Sequence, residues 1–414
     1  MSLLYGNAVV GQSGGPTSAI NATLSGVIRG AYEAHGAGII EKLYGMKNGI
    51  EGFLREDFVS LFEIFDTPEK LQTLETTPAA ALGSCRRKLK DHEKDADTFA
   101  GILRIFKKYD IRYFFYIGGN DSMDTVLKLS RYAADHDFEM RVVGIPKTID
   151  NDLMATDHTP GFGSAAKFVA TTVKEILRDV SVYTMNAVTI VEIMGRDAGW
   201  LTASAALPLL SGGMAPDLVY LPERVFDPEK FIADVRAALE KHPAILVAAS
   251  EGIKFANGHY VGEGTDSRKV DAFGHTALSG TGRVLEELVK DEIGCKVRSI
   301  ELSLPQRCAA HIASLTDLRE SVEVGRGGVL SAIAGATGVM MTIVRDNEGG
   351  EYSFHVGTAD ISKIANEIRR VPDEYINAEG NGITAAGLDY LAPLILGEPY
   401  IEYENGLPKH FVIE

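Results

Sequence analysis

Seven consecutive residues, Pro146-Lys147-Thr148-Ile149-Asp150-Asn151-Asp152, bring a cation, a hydroxyl and two carboxylates within reach of one another. They follow the apolar run Val142-Val143-Gly144-Ile145, which reads as a strand. The group therefore stands at a strand's C-terminal end, where open α/β sheets bind ligands. If the chain stays extended there, Asp150 and Asp152 share a face, because strand side chains alternate with period two. Asp150 could then take a proton from a substrate hydroxyl. Lys147 could hold phosphoryl charge as it develops. The pattern suggests phosphate chemistry with a base. For the segment alone, a turn carrying two solvated aspartates is the competing reading.

Other strand ends carry comparable turns. Gly14-Gly15 lies between a strand-like run at 7–10 and a helical pattern from Thr17, with Ile20, Leu24 and Ile28 at spacing four. Glycine there lets backbone amides approach a phosphate, and a helix N-terminus favours the anion. The spacing is neither GxGxxG nor a P-loop, so a simple tight turn competes. Gly118-Gly119-Asn120-Asp121-Ser122 ends the run at 113–117. Its glycines bring backbone near a ligand, while Asn120, Asp121 and Ser122 offer oxygens to a hard cation such as Mg²⁺. Asp121 or Ser122 could instead cap the next helix. Met194-Gly195-Arg196 ends the run at 187–193, and Arg196 could either meet a ligand or pair with Asp197. Ser250-Glu251-Gly252 ends the run at 244–249 with a carboxylate suited to sugar hydroxyls. Arg86, Arg87 and Lys88 form a basic cluster, by default a solvated one. Arg298 and Arg307 flank a short strand-like run, with nothing local to distinguish them. His275 and His311 have no second ligand at helical spacing and read as structural or surface residues.

These turns need elements to carry them. Strand-like runs alternate with helical patterns, one with Met123, Val126, Leu127 and Leu129 as apolar positions and one with Val169, Val173, Ile176, Leu177 and Val180 on a face. The alternation predicts parallel sheets with helices on both faces. Glycine-containing polar turns at most strand ends predict one shared cleft. Turn formers at 157–162 mark a domain boundary. Asn347-Glu348-Gly349-Gly350-Glu351 reads as a hairpin turn between two strand-like runs.

The 414 residues allow two or three domains with a large core. A net charge of -16 argues against a general nucleic-acid or anionic-membrane surface, and an anionic substrate would need a local Arg and Lys cluster. Three cysteines, Cys85, Cys295 and Cys308, include no CxxC pair, so neither a disulfide framework nor a zinc site is expected. A reducing cytoplasm fits. The N-terminus lacks a signal-peptide pattern. No apolar stretch is long enough to span a membrane.

Taken in order, Gly14-Gly15, Leu82 to Arg86, Gly118 to Ser122, Pro146 to Asp152, Met194 to Arg196, Ser250 to Gly252 and Pro305-Gln306-Arg307 resemble the phosphofructokinase family. Within it they resemble the diphosphate-using members. The resemblance implies two αβα lobes with mostly parallel sheets and the active site in the cleft between them. It makes residues 1–156 a phosphoryl-donor lobe, to which C-terminal segments can return, and 157–320 a sugar-phosphate lobe. Residues 321–414 are left as an extension without a role. Asp150 matches the general base that deprotonates the C1 hydroxyl of fructose 6-phosphate, with Thr148 and Asp152 its neighbours. Met194, Gly195, Arg196 and Glu251 match sugar-phosphate contacts. Arg307 and Arg298 match arginines of the 6-phosphate. Gly15 and Arg86, with Gly119 and Ser122, fall on the donor side.

Donor choice rests on Asp121 and Lys147, where ATP-using members of the family usually carry glycine. A carboxylate at Asp121 fills the space of an α-phosphate and repels it. Lys147 supplies a point charge for diphosphate as leaving group. The resemblance also implies Mg²⁺ at Asn120 and Asp121, and a homodimer or homotetramer. Three departures stand out. Asn120 replaces a metal-binding aspartate of many members, Ala187 an arginine and Leu304 a histidine of the bacterial ATP-dependent enzymes. ATP as donor is the alternative within the reaction. A lipid or nucleotide kinase would lack the 148–152 run. A non-catalytic sugar-phosphate sensor would have no need of a base at Asp150.

Overall fold

The computed structural model describes residues 3–263, 280–346, 350–364 and 367–413. In chain order its main strands are β1 (Gly6–Gln12), β2 (Ile40–Met46), β3 (Phe58–Ser60), β4 (Ile111–Gly118), β5 (Arg141–Pro146), β6 (Ala187–Ile193), β7 (Leu218–Tyr220), β8 (Ala244–Ser250), β9 (Lys296–Glu301), β10 (Val339–Asp346) and β11 (Ser353–Asp360). They form two sheets, ordered β11-β10-β5-β4-β1-β2-β3 and β7-β8-β6-β9. The second sheet is parallel throughout. The first is parallel in its interior, with antiparallel β3 and β11 at its edges.

Central strands are apolar on both sides, as a sheet covered on both faces requires. Tyr113, Phe115 and Ile117 of β4 join Ala8, Val10 and Ile145 in one core. Phe114 and Tyr116 face the other, with Val9, Met123 and Val126. The second sheet repeats this. Val188 and Ile190 pack with Phe231, Val235 and Leu285. Val191 and Ile193 pack with Val169, Val173 and Trp200.

The chain crosses between the sheets more than once. After β9, the helix Leu315–Ile333 lends Val324 and Val329 to the first sheet's core, and β10 and β11 extend that sheet. Val371, Ile376, Leu388, Tyr390 and Leu394 then pack into the second sheet's core. Phe411 returns to the first, its ring 4.7 Å from that of Phe65.

The strand-like runs before the candidate turns lie within observed strands, but the run between Arg298 and Arg307 leaves β9 after Glu301 and enters a helical turn at Pro305–Cys308. β2, β3 and β7 carry no comparable signal: β2 mixes buried Ile40 and Leu43 with exposed Glu41 and Lys42, and β3 and β7 are three residues long. The first long helix spans Ile20–Gly36, beginning later than the pattern from Thr17 suggested. Residues 347–349 and His275 lie outside the described residues, but β10 and β11 pair antiparallel on either side of the expected turn. Among the described residues no helix is long and apolar enough to cross a membrane.

Candidate active site

Strand order decides where a site can form. From β1 the chain goes to β2 on one side and later to β4 on the other, so the crevice opens at the C-terminal ends of β1 and β4. In the second sheet β6 lies between β8 and β9 and plays the same part. Gly14-Gly15, Gly119–Ser122 and Met194–Arg196 follow those strand ends, and Glu251 follows neighbouring β8.

Beyond β5 the backbone turns. Lys147 N still donates to Gly118 O at 2.9 Å, continuing the ladder with β4. Asp150 N then donates to Thr148 Oγ1 at 3.1 Å, a short side-chain turn. Asn151 has φ +54°, a left-handed conformation that asparagine tolerates. The expected extended alternation of Asp150 and Asp152 is therefore corrected. They share a cleft because the turn delivers both, not because a strand does.

On the β1 side, Gly14 has φ +77° and its N–H already donates to Cys85 O at 3.2 Å. The helix begins only at Ile20, so among the described residues no helix N-terminus abuts this turn, which corrects that part of the expectation and leaves the glycine backbone. Gly15 contributes differently. Its carbonyl accepts from Lys147 Nζ, and a Cβ there would stand 3.2 Å from an Arg307 guanidinium nitrogen. Gly15 thus sits where cations from both sheets converge.

Asn120, Asp121 and Ser122 form the first turn of the helix Asn120–Asp135, which no side chain caps. The capping alternative is thereby removed. Ser122 shares a hydrogen bond with Ser13, Asp121 takes Lys88 Nζ at 3.0 Å, and Asn120 Nδ2 donates to Glu367 O at 3.1 Å. Asn120 Oδ1 is buried with no hydrogen-bond partner among the described residues.

The facing wall comes from the second sheet. Gly195 has φ +134°, and its N–H donates to Glu251 Oε1 at 3.3 Å while its carbonyl accepts from Ser250 Oγ at 2.6 Å. Met194 N donates to Gln306 Oε1 at 3.1 Å, a buried partner that the local sequence did not single out. Asp197 pairs with Lys254 at 3.2 Å.

Burial dominates the electrostatics. Lys147 is 3% exposed, and burial pulls its ammonium down to about 8 despite the opposing pull of Asp150 and Asp152. Burial raises the Asp150 carboxyl, although Lys147 and Arg196 act against the rise. Asp152 and Glu251 are each pushed up to about 7, by burial first and by the charge of Asp150 second. Burial also lowers Arg307, with Arg86 adding to the effect. Desolvation thus disfavours the charged form of each.

The resulting cleft, about 490 Å³, is lined by Gly15, Arg86, Gly119, Asn120, Asp121, Ser122, Lys147, Thr148, Asp150, Asp152, Met194, Arg196, Glu251 and Arg307. Gly195 supports its wall through Glu251. Arg298 does not reach it: paired opposite Thr189 on β9, it lines a separate groove with Ala187 and Lys296. Sequence reasoning missed Ser13 and Ile368, and read Arg87 and Lys88 only as a solvated run, yet all four line the cleft. A larger hollow of about 800 Å³, near Asp217 and His242, holds none of the candidate site residues.

A family model described as phosphofructokinase matches residues 7–317. The chain is 39% identical to a Methylococcus capsulatus protein named pyrophosphate–fructose 6-phosphate 1-phosphotransferase, over 98% of this chain and 96% of that one. A protein of the same name from Xanthomonas campestris pv. campestris is 40% identical, over 98% and 95%. The crystal structure of a pyrophosphate-dependent phosphofructokinase from Nitrosospira multiformis superimposes with a TM-score of 0.87 at 36% identity, covering 98% of this chain and 96% of that one.

Proposed function

The chain belongs to the phosphofructokinase family, and from that membership we propose that it transfers phosphate reversibly between diphosphate and the C1 hydroxyl of fructose 6-phosphate, a step of glycolysis and gluconeogenesis. The products of the forward direction are fructose 1,6-bisphosphate and orthophosphate. One observation carries the choice of donor: Asp121 and Lys147 line the same cleft as Asp150, with Asp121 tied to Lys88. A carboxylate there stands against a longer polyphosphate chain, while Lys147 faces the shorter one.

In this reading Asp150 takes the hydroxyl proton, with Thr148 and Asp152 beside it. Met194, Gly195, Arg196 and Glu251 hold the sugar phosphate, and Arg307 its 6-phosphate. Gly15, Arg86, Gly119 and Ser122 hold the donor. Arg298, the other arginine expected at the 6-phosphate, lies outside this cleft within one chain. Catalysis is positioning plus electrostatics, as in other phosphoryl transfers.

Asn120 and Asp121 are the residues that would hold Mg²⁺. The unpartnered Asn120 oxygen suits a hard cation. Among the described residues no group of three or more His, Cys, Asp or Glu could hold a metal, so phosphate oxygens and water would complete its shell. The ion would neutralise phosphoryl charge. The free thiols of Cys85, Cys295 and Cys308 suit a cytoplasmic enzyme, read here as a homodimer or homotetramer.

The test is initial rates with fructose 6-phosphate and Mg²⁺, comparing diphosphate with ATP. Turnover with diphosphate and little with ATP is expected. ATP-only turnover would refute the donor argument. No turnover with either would favour another acceptor or a sugar-phosphate sensor.

A further inference from the structure

The family match ends at residue 317, yet the chain beyond it re-enters the cleft. Ile368 is one of the lining residues. Glu367 O accepts from Asn120 Nδ2 at 3.1 Å, and Arg369 N donates to Asp152 O at 2.8 Å. A short strap thus bonds to two of the turns that build the site.

The strap is itself locked. Arg369 O accepts from the indole nitrogen of Trp200 at 3.1 Å, and the Arg369 guanidinium lies 4.4 Å from the Trp200 ring centre. Arg369 also donates to Tyr390 Oη at 3.2 Å. Tyr390 Oη accepts from Asn151 Nδ2 at 3.2 Å and donates to Asp157 O at 2.7 Å. Asn151 Oδ1 meanwhile accepts from Thr159 N at 3.1 Å. The amide of Asn151, the left-handed residue between the two carboxylates, is therefore gripped at both ends. Two N–H groups, from Gly199 and Val371, donate to Glu223 Oε1 at 2.9 Å each, which fastens the strap's far end.

This arrangement matters because Asp150 and Asp152 are half-buried carboxylates two residues apart, and the charge of Asp150 opposes ionisation of Asp152. A base displaced by an ångström loses much of its effect. We infer that the strap at 367–371, locked by Arg369 and Tyr390, is a positioning element that sets where the Asp150 carboxylate stands. The inference rests on the reading of this cleft as the site of phosphate transfer. Arg369 and Tyr390 touch no reacting atom; they act through Asp152 and Asn151.

The variants are Tyr390→Phe, which keeps the ring, and Arg369→Lys, which keeps the charge. Both are compared with the wild type by steady-state kinetics, thermal unfolding and hydrogen exchange. The expected result is faster exchange at residues 148–159 and a kcat lower by about tenfold. KM values for both substrates stay within about twofold and the unfolding midpoint barely moves. Unchanged exchange at 148–159 in both variants overturns the inference, as does turnover that falls only in step with the unfolding midpoint. A wild type without transfer from diphosphate would refute the functional reading, while the exchange data would still decide the strap.

Discussion

Asp150 and Lys147 are moved from their usual pKa values by the same cause, burial, in the direction that discharges each. A base works only when ionised, so kcat/KM for fructose 6-phosphate is lost as pH falls, at a pH above the roughly 4 of an ordinary carboxylate. In its proposed role Lys147 receives diphosphate as an ammonium, so kcat/KM for diphosphate should be lost as pH rises through about 8. An acid limb in the first profile and an alkaline limb in the second are the expected outcomes, and a flat profile in either would remove the role of its residue. Asp121→Gly tests the donor argument. Diphosphate kcat/KM should fall by about a hundredfold or more while ATP turnover appears. Loss of the first without gain of the second would mean that Asp121 binds donor but does not select it. The types of these residues, and their place after apolar runs, were readable in the chain. Their protonation balance was not, because it depends on Arg196, Arg307 and Glu251 arriving from another sheet.

The elements act through their ends. Each candidate turn follows a strand at or beside a switch point, so the cleft is a consequence of strand order. Gly195 shows how little freedom such a turn has. Its φ is +134°, and a Cβ would stand 2.6 Å from Ala198 O. Gly195→Ala should therefore destabilise the fold by about 2 kcal/mol, a typical cost of a strained backbone position. It should also raise KM for fructose 6-phosphate, since the N–H that orients Glu251 moves. Denaturant titration and steady-state kinetics check this, and an unchanged KM would separate the glycine from the sugar side. Helix boundaries were less legible. Nothing local distinguishes Thr17, which lies before the first helix, from Ile20, which opens it, and a helix frays where no side chain caps it.

Across the whole molecule, returning segments join the lobes. His158, fully buried, meets Asp157 at 2.7 Å and Glu320 at 2.6 Å, and Glu320 also accepts from Tyr352. Burial disfavours the imidazolium, but the Glu320 carboxylate and the Asp157 hydrogen bond outweigh it and push the pKa to about 9. A raised histidine pKa stabilises the fold fully below its unfolded value of roughly 6.5, and that stability is lost as pH rises through about 9. The difference in unfolding free energy between the wild type and His158→Gln should shrink by on the order of 3 kcal/mol from pH 6 to pH 10. A constant difference would show that His158 is neutral in the fold.

The α/β class, the strand ends and the residue types of the chemistry were legible along the chain, because hydrophobic periodicity and glycine-rich turns are local signals. The chain also carried the family resemblance through the run at 146–152. Three features came from the packing of the folded chain: Arg298 stands apart from the cleft, Asp150 and Asp152 share it through a turn, and residues 367–371 close in behind them. Those outcomes depend on which strands become neighbours and on contacts between residues hundreds of positions apart, and no local pattern encodes such distances.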